Sequence, residues 1–117
     1  MPTLERLKAF IARVEALDHV GAIEDFYHAD ATMQENLSAI RTGIEALVAG
    51  ERAALKRMGG APVSTCRAFA VNGDTVFINW TFGMATGKVL NEIAVQTWRG
   101  DRIAAERFYY DPAQMQG

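Results

Sequence analysis

Three glutamates and one tyrosine are the residues of this chain best suited to moving a proton: Glu35, Glu92, Glu106 and Tyr110. Carboxylates gathered in one cavity cannot all ionise cheaply, because like charges push one pKa up. The result is one acid and one base, the pair needed to take a proton from the carbon next to a carbonyl. Tyr110 adds a hydroxyl able to hydrogen-bond the substrate oxygen. Each residue also has a bland reading. Glu35 can be an exposed strand end, Glu106 the partner of Arg67 or Arg107 in a structural ion pair, and Glu92, close to a hairpin, a solvated side chain. Other chemistries find less support. Cys66 is the sole cysteine, with no histidine placed to activate it, and reads as small filler lining a pocket or core. Glu24 and His28 are one helical turn apart, a spacing that can bind metal, but no HExxH motif or Cys/His cluster accompanies them. His28 therefore reads as a helix-end histidine capping carbonyls. No Gly-rich phosphate loop is present, so neither a metal nor a cofactor is expected.

The 117 residues carry twelve Lys and Arg against fourteen Asp and Glu, for a net charge of −2, and half of them are apolar. That is enough for one core and predicts a single domain over residues 1–117. A phosphate-binding face needs a clear basic excess, so nucleic acid is not an expected partner. The lone cysteine excludes an internal disulfide. Met1-Pro2-Thr3-Leu4-Glu5-Arg6 leads into no apolar run of secretory type, and no stretch approaches the roughly 18 apolar residues of a membrane span. The expectation is a soluble cytoplasmic protein with no membrane contact.

Positioning the candidate residues requires two kinds of element. Leu4, Leu7, Phe10, Ile11, Val14 and Leu17 recur at helical spacing behind a Thr3 cap. Ile23, Phe26 and Tyr27 suggest a second, short helix, and residues 31–36 a strand. Thr42-Gly43-Ile44-Glu45 fits a capping box before a third helix, with apolar positions Ile44, Leu47, Val48, Leu55 and Met58 and a Gly59-Gly60 stop. From residue 62 to 111 the period changes to two, and Asn72-Gly73, Thr86-Gly87 and Gly100-Asp101 mark three hairpins. Taking the first two pairs as two-residue loops gathers Ser64, Cys66, Ala68, Phe77, Asn79, Thr81, Gly83, Glu92, Ala94 and Gln96 on one face. Val76, Ile78, Trp80, Phe82, Met84, Ile93 and Val95 then fall on the other. The third hairpin is open. A two-residue loop puts Arg107 and Tyr109 on the first face, whereas a three-residue Arg99-Gly100-Asp101 loop puts Glu106, Phe108 and Tyr110 there.

Three segments carry a resemblance to a known family: Ala22-Ile23-Glu24-Asp25-Phe26-Tyr27-His28-Ala29-Asp30-Ala31-Thr32, Gly43-Ile44-Glu45-Ala46-Leu47, and Asp101-Arg102-Ile103 through Asp111-Pro112. In this order and spacing they resemble the SnoaL-like branch of the nuclear transport factor 2-like superfamily, over nearly the whole chain. The resemblance implies an α+β cone (cystatin-like), in which three N-terminal helices pack on the concave side of a curved, mainly antiparallel sheet and enclose a pocket. Relatives include ketosteroid isomerases, limonene-epoxide hydrolases, polyketide cyclases and binding domains without catalysis, so fold does not settle function.

The resemblance also implies an orientation. Glu106, Phe108 and Tyr110 point into the cavity with Met33 and Glu35, and the first sheet face becomes the pocket wall. The candidate catalytic set is then Glu35, Glu106 and Tyr110. The candidate ligand-binding set is Phe10, Val14, Met33, Cys66, Phe77, Asn79, Thr81, Glu92, Ala94, Gln96 and Phe108. The bulkier second face is expected to pair with a second copy, giving a homodimer through the outer sheet. Glu35 aligns with the general-base aspartate of ketosteroid isomerases, but that family's acid aspartate aligns with Ala94 and its tyrosine falls near Ile11, so steroid isomerisation is not expected. The epoxide-hydrolase set fails too, since its positions align with Asn79, Phe77 and Phe108. What is left is an isomerase- or cyclase-type enzyme acting on a small carbonyl compound through carboxylate acid/base chemistry, or a non-catalytic domain that binds a small hydrophobic molecule.

Overall fold

A computed structural model describes residues 1–116. In chain order the elements are α1 (Leu4–Glu15), α2 (His19–Phe26), β1 (Tyr27–Glu35), β2 (Arg41–Thr42), α3 (Ile44–Met58), β3 (Val63–Asn72), β4 (Thr75–Gly83), β5 (Val89–Arg99), β6 (Arg102–Tyr109) and a 3₁₀ turn, Pro112–Met115. The six strands form one open, curved sheet in the order β2-β1-β6-β5-β4-β3. Every pairing is antiparallel except β1 with β6. The expected α+β architecture, three helices over a mainly antiparallel sheet, is what the chain adopts.

Local signals explain the helix ends. Thr3 caps α1 by accepting the Arg6 N–H at 3.0 Å. At the end of α3 the Gly60 N–H reaches the Leu55 carbonyl and the Gly59 N–H that of Lys56, with Gly59 at φ 78°. This is a Schellman stop that a residue with a Cβ would strain. The capping box expected at Thr42 does not form. Thr42 is the last residue of β2, paired with Thr32, and Gly43 occupies the cap position without a side-chain bond. Pairing with β1 claims the threonine before it can turn back onto the helix.

The core lies between helices and sheet. Leu7, Phe10 and Ile11 of α1 and Leu47 of α3 pack against Val76, Ile78, Trp80, Trp98 and Ile103 of the sheet, all buried. Here the expected register of β4 is wrong by one. The β4–β5 hairpin closes on three residues, 85–87, with the Met84 N–H bonding the Lys88 carbonyl at 2.9 Å and Gly87 at φ 89°. Trp80 therefore faces Glu92, Ile78 faces Ala94 and Val76 faces Gln96. An odd loop in place of an even one turns every side chain of β4 over. Val76, Ile78, Trp80 and Met84, expected to form an intersubunit face, are buried inside one chain, while Phe77 and Asn79 are exposed on the opposite side. Of the expected outer patch, Ile93 is exposed and Val95 half-buried.

The other two hairpins show the same sensitivity. Asn72 pairs with Thr75, so the first turn is Gly73-Asp74, a shift of two that preserves parity. A bulge between Cys66 and Ala68 then brings Ser64 and Cys66 onto the Trp80 side. At the third hairpin Arg99 pairs with Arg102, so the loop has two residues. A second bulge, between Ile103 and Ala105, reverses the parity again and sets Gln96 opposite Glu106 and Ala94 opposite Phe108. The loop is the short one, yet Glu106 and Phe108 point inward.

Candidate functional site

Helices and sheet leave a cavity of about 460 Å³ between them, a size typical of small-molecule pockets. Phe10 and Val14 of α1 and His19 and Ile23 of α2 line one wall, and Glu51, Arg57 and Met58 of α3 another. The sheet contributes Tyr27, Met33 and Glu35 from β1, Trp80 and Phe82 from β4, Glu92 from β5, and Glu106 and Phe108 from β6, with Tyr110 just beyond. The parallel β1–β6 pairing brings the front of the chain to its end, setting Met33 beside Glu106 and Glu35 beside Phe108. Asn36 fixes that corner. It adopts a left-handed conformation (φ 48°), its N–H bonds the Phe108 carbonyl at 2.7 Å, and its Oδ1 accepts the Tyr110 N–H at 3.0 Å. Glu35 and Tyr110 are thereby held at one end of the cavity, both half-buried.

Glu106 is the best-anchored group. It is buried, its Oε1 accepts the Tyr27 hydroxyl and its Oε2 accepts Gln96 Nε2 at 2.6 Å. Gln96 is held in turn by Trp98 Nε1, which donates to its Oε1 at 3.0 Å. Burial drives the Glu106 pKa up, the two donors pull it back, and the balance lies at about 7. Neither Arg67 nor Arg107 takes part: Arg67 donates to Thr81 and Arg107 to the Asn36 carbonyl. The ion-pair reading of Glu106 is replaced by a network of neutral donors.

Glu92 is not solvated, contrary to expectation. It is 8 % exposed and lines the cavity directly across from Trp80. Burial first, and then the negative charges of Glu106, Glu35 and Glu51, raise its pKa to about 8. Tyr110 titrates above its ordinary value because of burial and the charges of Glu35 and Glu92.

The remaining sequence candidates divide. Phe10, Val14, Met33 and Phe108 line the cavity. Gln96 and Ala94 are fully buried on the same sheet face without lining it, Gln96 acting through Glu106. Phe77, Asn79 and Thr81 lie on the opposite face because of the three-residue loop, and Thr81 there bonds Arg67 and Asn91. Cys66 is half-buried, its thiol on the Ala68 carbonyl and its titration pushed up by burial, and it does not line the cavity. His28 sits on β1, not at a helix end, and its Nε2 lies 2.8 Å from the Arg99 carbonyl.

Trp80 and Phe82 line the cavity instead of the outer face, and Tyr27, Glu51 and His19 join them without having been among the sequence candidates. Tyr27, expected in a short helix, opens β1. Glu51 falls one turn after buried Leu47, filling the gap between Leu47 and Leu55 in the apolar stripe of α3; a carboxylate on a buried stripe was the available signal. His19 has its Nδ1 3.3 Å from Glu51 Oε1 and its Nε2 2.9 Å from Ser64 Oγ. This acid–imidazole–hydroxyl order resembles a nucleophilic triad. However, the Ser64 hydroxyl is buried, donates to the Pro62 carbonyl at 2.9 Å and does not line the cavity. It ties α2 and α3 to β3. Among the described residues no group of three or more His, Cys, Asp or Glu is placed to hold a metal ion, and no helix is long and apolar enough to cross a membrane.

A family model for the SnoaL-like domain matches residues 7–106. The chain belongs to the SnoaL-like domain family. Solved structures share its fold. A candidate SnoaL-like polyketide cyclase from Mesorhizobium loti is 24% identical with a TM-score of 0.70, covering 94% of this chain and 100% of its own. A protein with a ketosteroid isomerase-like fold from Catenulispora acidiphila, in complex with trimethylamine, is 23% identical with a TM-score of 0.75, covering 93% and 87%. TerC, co-crystallized with polyporic acid, is 17% identical with a TM-score of 0.81, covering 98% and 95%. A search of curated proteins gave no match. At these identities the neighbours of this SnoaL-like protein establish its architecture, and its chemistry must be argued from its own cavity.

Proposed function

We propose that this SnoaL-like protein is an isomerase- or cyclase-type enzyme that moves a proton on a small carbonyl compound held in the cavity. The observation that carries the reading is Glu106: a carboxyl anchored by Tyr27 and Gln96 at the cavity wall, with a pKa of about 7. A proton carrier works best when its pKa lies near the operating pH. Glu35, half-buried and two residues along β1 from Met33, the partner of Glu106, serves as the base that removes a proton next to the carbonyl. Protonated Glu106 gives its proton to the substrate and is left as a carboxylate accepting the Tyr27 hydroxyl. Tyr110 hydrogen-bonds the substrate oxygen. After product leaves, Glu35 loses its proton to water and Glu106 regains one. Gln96 and Trp98 are positioning residues, acting through Glu106.

The test needs no knowledge of the natural substrate. A panel of small cyclic ketones is incubated with the protein in deuterated buffer, and loss of the α-proton signals is followed by NMR. Exchange is expected above the buffer rate for at least one ketone, and Glu35→Gln is expected to slow it by about 10²–10⁴-fold. Exchange equal in wild type and Glu35→Gln would remove Glu35 from the mechanism. Binding without turnover is the second reading, favoured by the apolar side chains that dominate the walls, among them Phe10, Val14, Ile23, Met33, Phe82 and Phe108. It predicts saturable ketone binding with no exchange.

A further inference from the structure

The mechanism above leaves Glu92 unused, and that residue is the anomaly of the cavity. Other buried polar side chains around it are partnered: Glu106 by Tyr27 and Gln96, Gln96 by Trp98, and Ser64 by His19 and Pro62. Glu92 is 8 % exposed, its carboxyl oxygens keep contact with the cavity, and among the described residues no hydrogen bond or salt bridge reaches them. A buried carboxyl without a partner keeps its proton, and an opposite charge seated beside it is what would let it ionise.

The surroundings select the kind of charge. Glu35, Glu51 and Glu106 line the same cavity, making four carboxylates with Glu92. The cationic side chains at the wall are Lys88, whose Nζ is taken by the Met115 carbonyl at 2.8 Å, and Arg57, exposed in the last turn of α3; His19 is engaged by Glu51 and Ser64. Acidic side chains therefore outnumber basic ones at the cavity wall. A bare metal ion would need three or more converging ligands, and no such group exists among the described residues. Aromatic rings are what stand next to Glu92. Trp80 is its cross-strand partner and stacks on Phe82 with ring centroids 5.7 Å apart, and both rings line the cavity. A carboxyl group next to indole and phenyl rings is a combination that suits an ammonium group.

We infer that Glu92, Trp80 and Phe82 form a seat for a small organic cation, so that the cavity's ligand carries a protonated amine or quaternary ammonium group. This deepens the proposed function by giving the ligand's charge. It rests on the cavity being the binding site, not on any turnover there, so the two ideas fail separately: ketone exchange reads the chemistry and cation binding reads the seat.

Choline and 3,3-dimethyl-1-butanol have the same shape and differ in the charge of one atom. Titration calorimetry of the intact protein with each compares them directly. Choline is expected to bind about 10-fold or more tightly than its neutral isostere. Glu92→Gln, nearly isosteric and checked for folding by circular dichroism, is expected to lose that preference while its affinity for the neutral compound changes little. Equal affinity of wild type for the two compounds, or no binding of choline up to tens of millimolar, would overturn the inference whether or not the variant folds. So would an undiminished preference in folded Glu92→Gln.

Discussion

Raising the pH from 5 to 9 is expected to destabilise the folded chain, and Glu92 is expected to carry most of the loss. Its carboxyl titrates at about 8 in the folded state against an ordinary 4.5. Across that window the folded chain keeps a proton that the unfolded chain has released, so each rise in pH favours unfolding, until the effect levels off above pH 8. The shift corresponds to roughly 3–5 kcal/mol at one unit per 1.36 kcal/mol, a large share of the roughly 5–15 kcal/mol that holds a domain together. Glu106 adds a slope of the same sign between 4.5 and about 7. Urea unfolding at a series of pH values checks this directly. Glu92→Gln should be more stable than wild type at pH 9 by about the same few kcal/mol, and nearly equal to it at pH 4.5. Parallel profiles for the two proteins would show that Glu92 ionises freely in the fold.

Glu106→Gln is the second large change expected. Removing a positioned proton carrier costs about 10²–10⁴-fold in turnover, and for α-proton exchange we expect a loss in that range with substrate binding retained. Tyr27→Phe separates positioning from bulk. The Tyr27 hydroxyl bonds the Glu106 carboxylate and lowers its pKa against the burial that raises it. Without it Glu106 should titrate higher, and the pH–rate profile should move toward alkaline pH without collapsing. An unmoved profile would mean that Glu106 is not the titrating group.

Elements were easier to read from the sequence than faces. The Thr3 cap, the Gly59-Gly60 stop and the three turn sites announced the helices and hairpins, because each is a local backbone requirement. Which way a strand faces is not local in that sense. It depends on whether residues 84–88 close over two or three residues, and on bulges after Cys66 and Ile103, none of which changes the alternation of residue types enough to be seen. The three-residue β4–β5 loop alone takes Phe77, Asn79 and Thr81 out of the cavity and brings Trp80 and Phe82 into it. The inward direction of Glu106, Phe108 and Tyr110 came from the family resemblance. The fold achieves it with a two-residue loop and a compensating bulge, a combination that loop arithmetic does not contain. Glu92 is near a hairpin yet not exposed, because its side chain turns to the cavity and the Pro112–Met115 turn lies against β5, with Gln114 bonded to the Asn91 backbone.

One cavity holds two glutamates, Glu92 and Glu106, whose carboxyls titrate near neutrality. Carbon-13 NMR of protein labelled at the glutamate side-chain carboxyl, titrated from pH 3 to pH 10 and assigned with Glu92→Gln and Glu106→Gln, measures this residue by residue. The expected result is one carboxyl with a midpoint near 7 that disappears in Glu106→Gln and one near 8 that disappears in Glu92→Gln, the latter moving down when Glu106 is replaced. If every glutamate resonance titrates between pH 4 and 5, the carboxyls are hydrated, the cavity is not what shapes their chemistry, and the account is contradicted.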